Sequence, residues 1–364
     1  MSAGGRRRHH RRRGEGDRRG NVELIEGSRR SAHHTGATSA QRHRQVAQTG
    51  AAAVISGSAV LIAVDRERRQ RNTALALAVV GAGFLIVQAY AYIAWLLSDR
   101  IAQPRGSDPI SDEVLANVRR AEVILVTLAL GWLIFLVVDC RRRRTLTWPV
   151  LLTFAWSAVY WQDPLVNAVD HNFTYNAYFR DNGDWVTHLP FIPVSGPTLP
   201  QPLFEALVFF ALLPIFGLLS YSILCGLRRL GISSPTLLII TVWLVFIVID
   251  GAFEMAGISQ GLLVWNRVSD TLAFHSGTID QWPVYEGVML GLVWALPGML
   301  MFFRGDNRFS RLDPGIDTLR GSVPTVVRLL ALAGLLNLVF LAYNIGLMLL
   351  SGSTIAPTPS WLSP

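Results

Sequence analysis

The segment PTLLIITVWLVFIVIDGAFEMA, Pro235–Ala256, decides the fold. As a helix it is long enough to cross a hydrocarbon core of about 30 Å. Its only ionisable side chains, Asp250 and Glu254, stand four residues apart near its end. A surface helix of a soluble domain would interrupt such a length with a polar face, and this one does not.

Working outward, runs of the same character recur, and 51% of the chain is hydrophobic, giving seven expected spans. They are Thr73–Leu97, Ala121–Val138, Leu146–Tyr160, Leu203–Cys225, Pro235–Ala256, Val284–Phe303 and Thr325–Leu350. The third is the shortest and spans only with Thr145 and Trp161 near its interfaces, because about 17 to 25 residues are normally needed. The run Ala51–Val64 is rich in Ala, Gly and Ser and enclosed by basic sequence, so it reads as interfacial or unstructured. The fold expected is all-α, a polytopic membrane helix bundle of about seven transmembrane helices behind a disordered basic arm. The divisions are an arginine-rich cytoplasmic arm over 1–72, a helical domain over 73–350 with an external polar loop over 161–202, and a short external tail over 351–364.

Charge sets the expected orientation. Arg141–Arg144, Arg228 and Arg229, and the group Arg304, Arg308, Arg311 and Arg320 fall in alternate loops. By the positive-inside rule these loops and the N-terminus are cytoplasmic and the C-terminus is external, in a bacterial cell membrane. Asp99, Asp108, Asp112, Glu113, Asp163, Asp170, Asp181, Asp184, Asp270 and Asp280 crowd the opposite side. Arg119 and Arg120 run against the pattern, softened by Glu122.

The first 72 residues hold 16 arginines against six acids. That composition predicts disorder and attraction to anionic headgroups of membrane lipids. Nucleic acid is a poor partner for it, since no fold beside it reads bases. Cys140 and Cys225 sit at cytoplasmic helix ends, where a structural disulfide is not expected. No CxxC, P-loop, GxGxxG or HExxH pattern occurs, which removes the usual cues for redox, ATPase, dinucleotide or zincin chemistry. A retinal protein is also a poor reading, because the chain contains no lysine.

Functional residues are expected in the polar stretch after the third span and at the ends of the fifth and sixth. Asp163 precedes Pro164, which favours an extended residue before it; a turn acid and a binding or proton-transfer group are equally supported there. Asn167, Asp170 and His171 would share neighbouring faces of a short helix. An Asp–His pair tunes an imidazole near neutral pH, and a surface hydrogen-bond network explains the same letters. Tyr175, Asn176 and Tyr178 offer donors and aromatic walls, and Trp185 follows the turn at Asp181–Asp184. Asp250 and Glu254 lie on one helix face; acids at such depth turn toward a cavity or partner. Farther on come His275, Asp280, Trp282, Tyr285 and Glu286, the last able to face Glu254 across a shared cavity. His171, His188 and His275 with these acids lack the tight paired spacing of a zinc or di-iron site, so neither a metal nor another cofactor is expected.

Four segments taken in order resemble the spirocyclase AveC family of multispanning actinobacterial proteins: DPLVN at Asp163–Asn167, FTYNAYFRDNGDW at Phe173–Trp185, DGAFE at Asp250–Glu254 and QWPVYE at Gln281–Glu286. The likeness covers roughly residues 74–350 and leaves out the arm. Its family-like positions are Asp163, Asn167, Tyr175, Asn176, Gly183, Trp185, Asp250, Glu254, Pro283 and Glu286. The resemblance implies dehydration and spiroketal formation of the kind attributed to the family's founder in avermectin-type polyketide maturation, and it carries no catalytic assignment.

Together these readings lead to a cofactor-independent cyclase or dehydratase acting on an amphiphilic polyketide- or lipid-like molecule. Asp250, Glu254, Glu286, Asp163, Asp170 and His171 are the candidate acids and bases, and Asn167, Tyr175, Asn176, Trp185, His275 and Trp282 would shape the substrate pocket. A transporter of small molecules or lipids, or a noncatalytic membrane partner, is the rival. In that case the intramembrane acids would form a proton path.

Overall fold

Among the described residues of the computed structural model, six helices are long and apolar enough to cross a membrane. Residues 68–69, 71–98, 109–180, 182–183, 185–190, 201–304, 316, 319–320 and 321–357 are described. The chain divides into two units, Met1–Leu61 and Ile62–Pro364. Residues 1–67 and 70 of the expected arm, with the Ala51–Val64 run, lie outside the described residues, as do Asp99, Asp108, Asp181, Asp184, Arg308 and Arg311.

The candidate spans are α1 (Arg71–Leu96), α2 (Asp112–Arg143), α5 (Glu205–Arg229), α6 (Pro235–Ser259), α7 (Val284–Phe302) and α8 (Val323–Leu350). Local chemistry accounts for their ends. Ser111 caps α2 by accepting from the Val114 amide, Asp112 and Glu113 occupy its first turn, and Arg141, Arg142 and Arg143 occupy its last, all matched to the helix dipole. Ser234 caps α6 in the same way, with Pro235 in the first turn, where no amide partner is needed.

The third expected span is a helix of only ten residues, α3 (Trp148–Ser157). It gives way to a 3-10 turn over Tyr160–Gln162 and a six-residue helix, α4 (Leu165–Asp170). Trp161 and Gln162 leave the helical path for bonds to α8, and Pro164 has no amide with which to continue a ladder. The bundle of about seven helices thus consists of six long ones and this broken one.

The central element is α7, two-thirds buried (67%), whereas α2 is 17% buried and presents Val123, Ile124, Leu130 and Ile134 outward. α7 packs on α5, α6 and α8, and α3 lies against α8 and α5. α1 meets α8 through backbone contact, since a Cβ on Gly81 would come 2.0 Å from the Leu330 carbonyl oxygen and one on Gly334 would come 2.1 Å from that of Leu77. Small residues allow this approach where lipid offers no hydrophobic drive.

Because the broken third helix carries the chain back between α2 and α5, the arginines ending α2 and α5, and Arg304 after α7, fall at one end. The polar loops gather at the other, tied by two-stranded antiparallel pairs. β1 (Phe173–Tyr175) pairs with β4 (Leu263–Trp265), and β2 (Asn182–Gly183) with β3 (Gln201–Pro202). β5 (Arg267–Val268) pairs with β8 (Thr354–Ile355), and β6 (Ala273–Phe274) with β7 (Trp282–Pro283).

Candidate functional site: an acid-lined chamber

Beneath the β1–β4 pair lies a chamber of about 70 Å³. Asp163 enters it from the turn before α4, Glu205 from the first turn of α5, Glu254 from α6 and Glu286 from the first turn of α7. Four carboxyl groups from four separate elements therefore share one volume. Tyr175, Tyr343 and Asn344 add polar groups, and Val208, Phe209, Phe253, Trp265, Trp294 and Phe340 supply much of the apolar wall.

Each carboxyl is held differently. Asp163 Oδ2 accepts from Gln201 Nε2 at 2.6 Å and from the Tyr175 hydroxyl at 3.3 Å. Burial pushes its pKa up to about 6, and these two bonds restrain the rise. Burial, with the Asp163 charge next in size, pushes the Tyr175 hydroxyl well above its ordinary range, so it remains a proton donor. Glu254 Oε2 accepts from Trp265 Nε1 at 3.1 Å. Glu286, 1% exposed, accepts on Oε1 from the Tyr343 hydroxyl at 3.0 Å.

Asp250 is fully buried one layer behind. It interacts with Glu286 without lining the chamber. Neither Asp250 oxygen, nor Glu286 Oε2, nor Trp282 Nε1 has a partner of hydrogen-bond geometry. Gly287 makes this crowding feasible, because a Cβ there would meet the Trp282 ring at 2.8 Å and Asp250 Oδ2 at 3.0 Å. Glu286 nonetheless lies against both Asp250 and Trp282, so the three form one close-set buried cluster.

A buried network fixes the Asp163 turn. Asn337 Oδ1 accepts from Trp161 Nε1 at 3.0 Å and Gln162 Nε2 at 2.7 Å, while its Nδ2 donates to the Ala158 carbonyl at 3.1 Å. Asn344 Nδ2 donates to the Gln162 carbonyl at 3.2 Å. The residue next to Asp163 is thereby pinned to α8 from two sides.

The other expected site residues are placed elsewhere. Asn167 Oδ1 accepts from the Phe173 amide at 3.1 Å and closes the turn into β1. Asn176 Nδ2 donates to the Gly261 carbonyl at 2.7 Å and joins the two loops. Trp185 Nε1 donates to the Trp161 carbonyl at 3.0 Å, with its ring among Tyr92, Trp95 and Tyr160. Trp282 stacks on Phe274 behind the chamber. His171 ends α4 in the left-handed region (φ 46°) and His275 is exposed at φ 51°; neither lines the chamber. The Asp170 side chain lies outside the described ones. Among the described residues no group of three or more His, Cys, Asp or Glu side chains is arranged to hold a metal ion.

Glu205, Tyr343 and Asn344 line the chamber without having been singled out in the sequence. Asn337, Tyr343 and Asn344 interrupt an otherwise apolar span, and polar residues inside a span are themselves a functional signal. Glu205 gives a weaker signal, since an acid opening a helix reads as a match to its dipole.

Fold and site define a class: polytopic helix-bundle membrane proteins with an acid-lined interior chamber at one end. Within that class, the chain belongs to the Spirocyclase AveC-like family, whose model matches residues 141–363. The match begins at the end of α2 and takes in every chamber-lining residue. Membership points to a cyclase-like function. No curated protein and no solved structure matches the chain.

Proposed function

We propose that the protein is a membrane enzyme that closes a spiroketal, or carries out the related dehydration, on an amphiphilic polyketide- or lipid-like substrate by acid–base catalysis without a cofactor. The observation that carries this reading is the convergence of Asp163, Glu205, Glu254 and Glu286 on one chamber with apolar walls.

In a substrate with one ketone and two hydroxyls, the first hydroxyl adds to the carbonyl to give a hemiketal. Glu286, steadied by Tyr343, or Glu254 protonates the hemiketal hydroxyl. That C–O bond breaks, water departs, and an oxocarbenium ion remains. The second hydroxyl attacks this carbon and its proton passes to Asp163, so the net change is loss of one water with no oxidation. A group titrating at about 6 is largely ionised at neutral pH yet returns its proton readily, which suits that base. Asp250 acts through Glu286 as a positioning residue. Apolar walls favour the internal hydroxyl over competing water.

The space, about 70 Å³, holds a few waters, so only the reacting end of an amphiphile enters, displacing them. Phe253, 43% exposed on α6, marks the side from which it arrives. The arginine-rich end is assigned to the cytoplasmic face and the chamber to the outer half of the cell membrane.

The test is metabolite profiling by mass spectrometry in the native host, with the protein intact, deleted, or restored as wild type, Glu254→Gln or Glu286→Gln. An uncyclised precursor, heavier than product by one water, is expected in the deletion and both variants. Unchanged intermediates with an altered distribution of one compound across the membrane would instead establish transport.

A further inference from the structure

Arg119 and Arg120 stand at the acid-rich end of the bundle, against the distribution of the other arginines, and the chamber uses neither. Arg120 is absorbed within α2, bonding the Asn117 side chain and the Ala116 carbonyl. Arg119 and Arg180 converge on Glu122. Arg119 Nη1 lies 2.8 Å from both carboxylate oxygens, the Arg180 amide donates to Oε1 at 2.8 Å, and Arg180 Nε is 3.8 Å from Oε2. Two guanidinium groups on one carboxylate leave positive charge over, and the Arg180 side chain is 68% exposed, with most of its donor fork unused.

These arginines border a groove of about 630 Å³ between α2 and the start of α5. From Arg119 the helix runs inward through Val123 and Val126, so the groove turns from cationic to apolar with depth. Phe204 and Leu207 line its other side, while their neighbours Glu205 and Val208 face the chamber. A cationic mouth above an apolar slot matches a ligand with an anionic head and a hydrocarbon chain.

We propose that this groove binds one anionic phospholipid of the surrounding bilayer, its phosphate on Arg119 and Arg180 and an acyl chain along Val126, Phe204 and Leu207. Arg119, which contradicts the positive-inside pattern, is then a ligand of a headgroup. The proposal does not depend on the chemistry assigned to the chamber.

The experiment is native mass spectrometry of the full-length protein released from detergent, titrated with phosphatidylglycerol or phosphatidylcholine of identical acyl chains. One phosphatidylglycerol is expected to be retained in preference to phosphatidylcholine. Arg119→Gln with Arg180→Gln is expected to lower that preference roughly tenfold. Val126→Trp, which fills the slot and keeps both arginines, is expected to lower binding of both lipids. A full-length variant with Arg6, Arg7, Arg8, Arg11, Arg12 and Arg13 changed to Gln is expected to keep the groove lipid, separating it from lipid held at the N-terminus. Phosphatidylglycerol retention that is unchanged by Val126→Trp, or a preference lost only in the N-terminal variant, overturns the proposal. If the double arginine variant does not fold, Val126→Trp decides alone.

Discussion

Replacing Asn337 by Leu should destabilise the bundle more than any comparable polar change in α8. The substitution nearly preserves volume, so little of its cost comes from a cavity. Trp161 Nε1 loses its acceptor, and the Ala158 carbonyl loses the Asn337 Nδ2 donor. Gln162 Nε2 loses its shorter bond, 2.7 Å, and keeps the 3.2 Å one to the Asn337 backbone oxygen. A buried polar group left unpaired costs about 1–3 kcal/mol, whereas side-chain bonds between membrane helices average only about 0.6 kcal/mol. Two orphaned groups and one weakened bond therefore place the loss at about 2–3 kcal/mol. Asn344→Leu removes a single donor, to the Gln162 carbonyl, and should cost about 1 kcal/mol. Reversible denaturation in mixed micelles, followed by tryptophan fluorescence, measures both. Their order is the robust part of the expectation, because micelle conditions scale both values together. An Asn337→Leu protein within about 0.5 kcal/mol of wild type, or one more stable than Asn344→Leu, would refute the view that this network holds the Asp163 turn.

Asp163→Asn tests the turn itself. A carboxyl raised from 3.8 to about 6 on folding contributes stability that is fully present below about pH 4 and lost as pH rises through 6. Both donors bind Oδ2, so the amide oxygen can keep them; melting curves from pH 4 to 7 should lose a slope worth about 2 kcal/mol, discounted for partial exposure, and an unaltered slope would count against Asp163 as its source. Tyr343→Phe removes the hydroxyl held by Glu286 Oε1 and should lower product formation about 10- to 100-fold while expression and melting change little. Wild-type turnover in that variant would remove Tyr343 from the mechanism. Gly298→Ala should destabilise by at least about 2 kcal/mol, since its Cβ would lie 2.3 Å from Ser220 Oγ and 2.5 Å from the Tyr221 amide nitrogen; a neutral result in the same denaturation assay would place α5 farther from α7.

The long helices were legible because lipid imposes one dominant rule, continuous apolar length, and segments such as Pro235–Ala256 obey it without tertiary help. The third span, expected over Leu146–Tyr160, is α-helical only over Trp148–Ser157, and Tyr160 falls in a 3-10 turn whose next residues, Trp161 and Gln162, bond Asn337, a contact that local pattern does not announce. Local pattern also brought Asp250, Glu254 and Glu286 to notice, yet only packing separates the chamber acids Glu254 and Glu286 from Asp250 behind them. His171 illustrates the reverse. Its adjacency to Asp170 suggested a base, but α4 ends there in a left-handed residue and the imidazole takes no part in the chamber wall. Asn167, Asn176 and Trp185 have polar atoms committed to closing the loops, so their prominence in the sequence reflects construction of the roof.

The short third helix and the chamber are one feature. A full-length α3 would continue along α8 through the column where Asp163, β1 and Tyr175 now sit, leaving Glu286 and Tyr343 facing a helix side. Stopping at Ser157 frees that column, and the turn bonded to Asn337 keeps it from collapsing. Across the space, α5 contains a π-helical stretch, Val208–Leu212, immediately after Glu205, and Val208 and Phe209 line the chamber. Such bulges cost helical regularity and recur at functional sites because they re-aim neighbouring side chains. Two helices are thus irregular at the same level of the bundle, both toward the same acids. Irregular backbone at membrane depth is tolerated where it is buried in protein or lines a cavity. The cost of breaking both ladders is borne here, around four carboxyl groups.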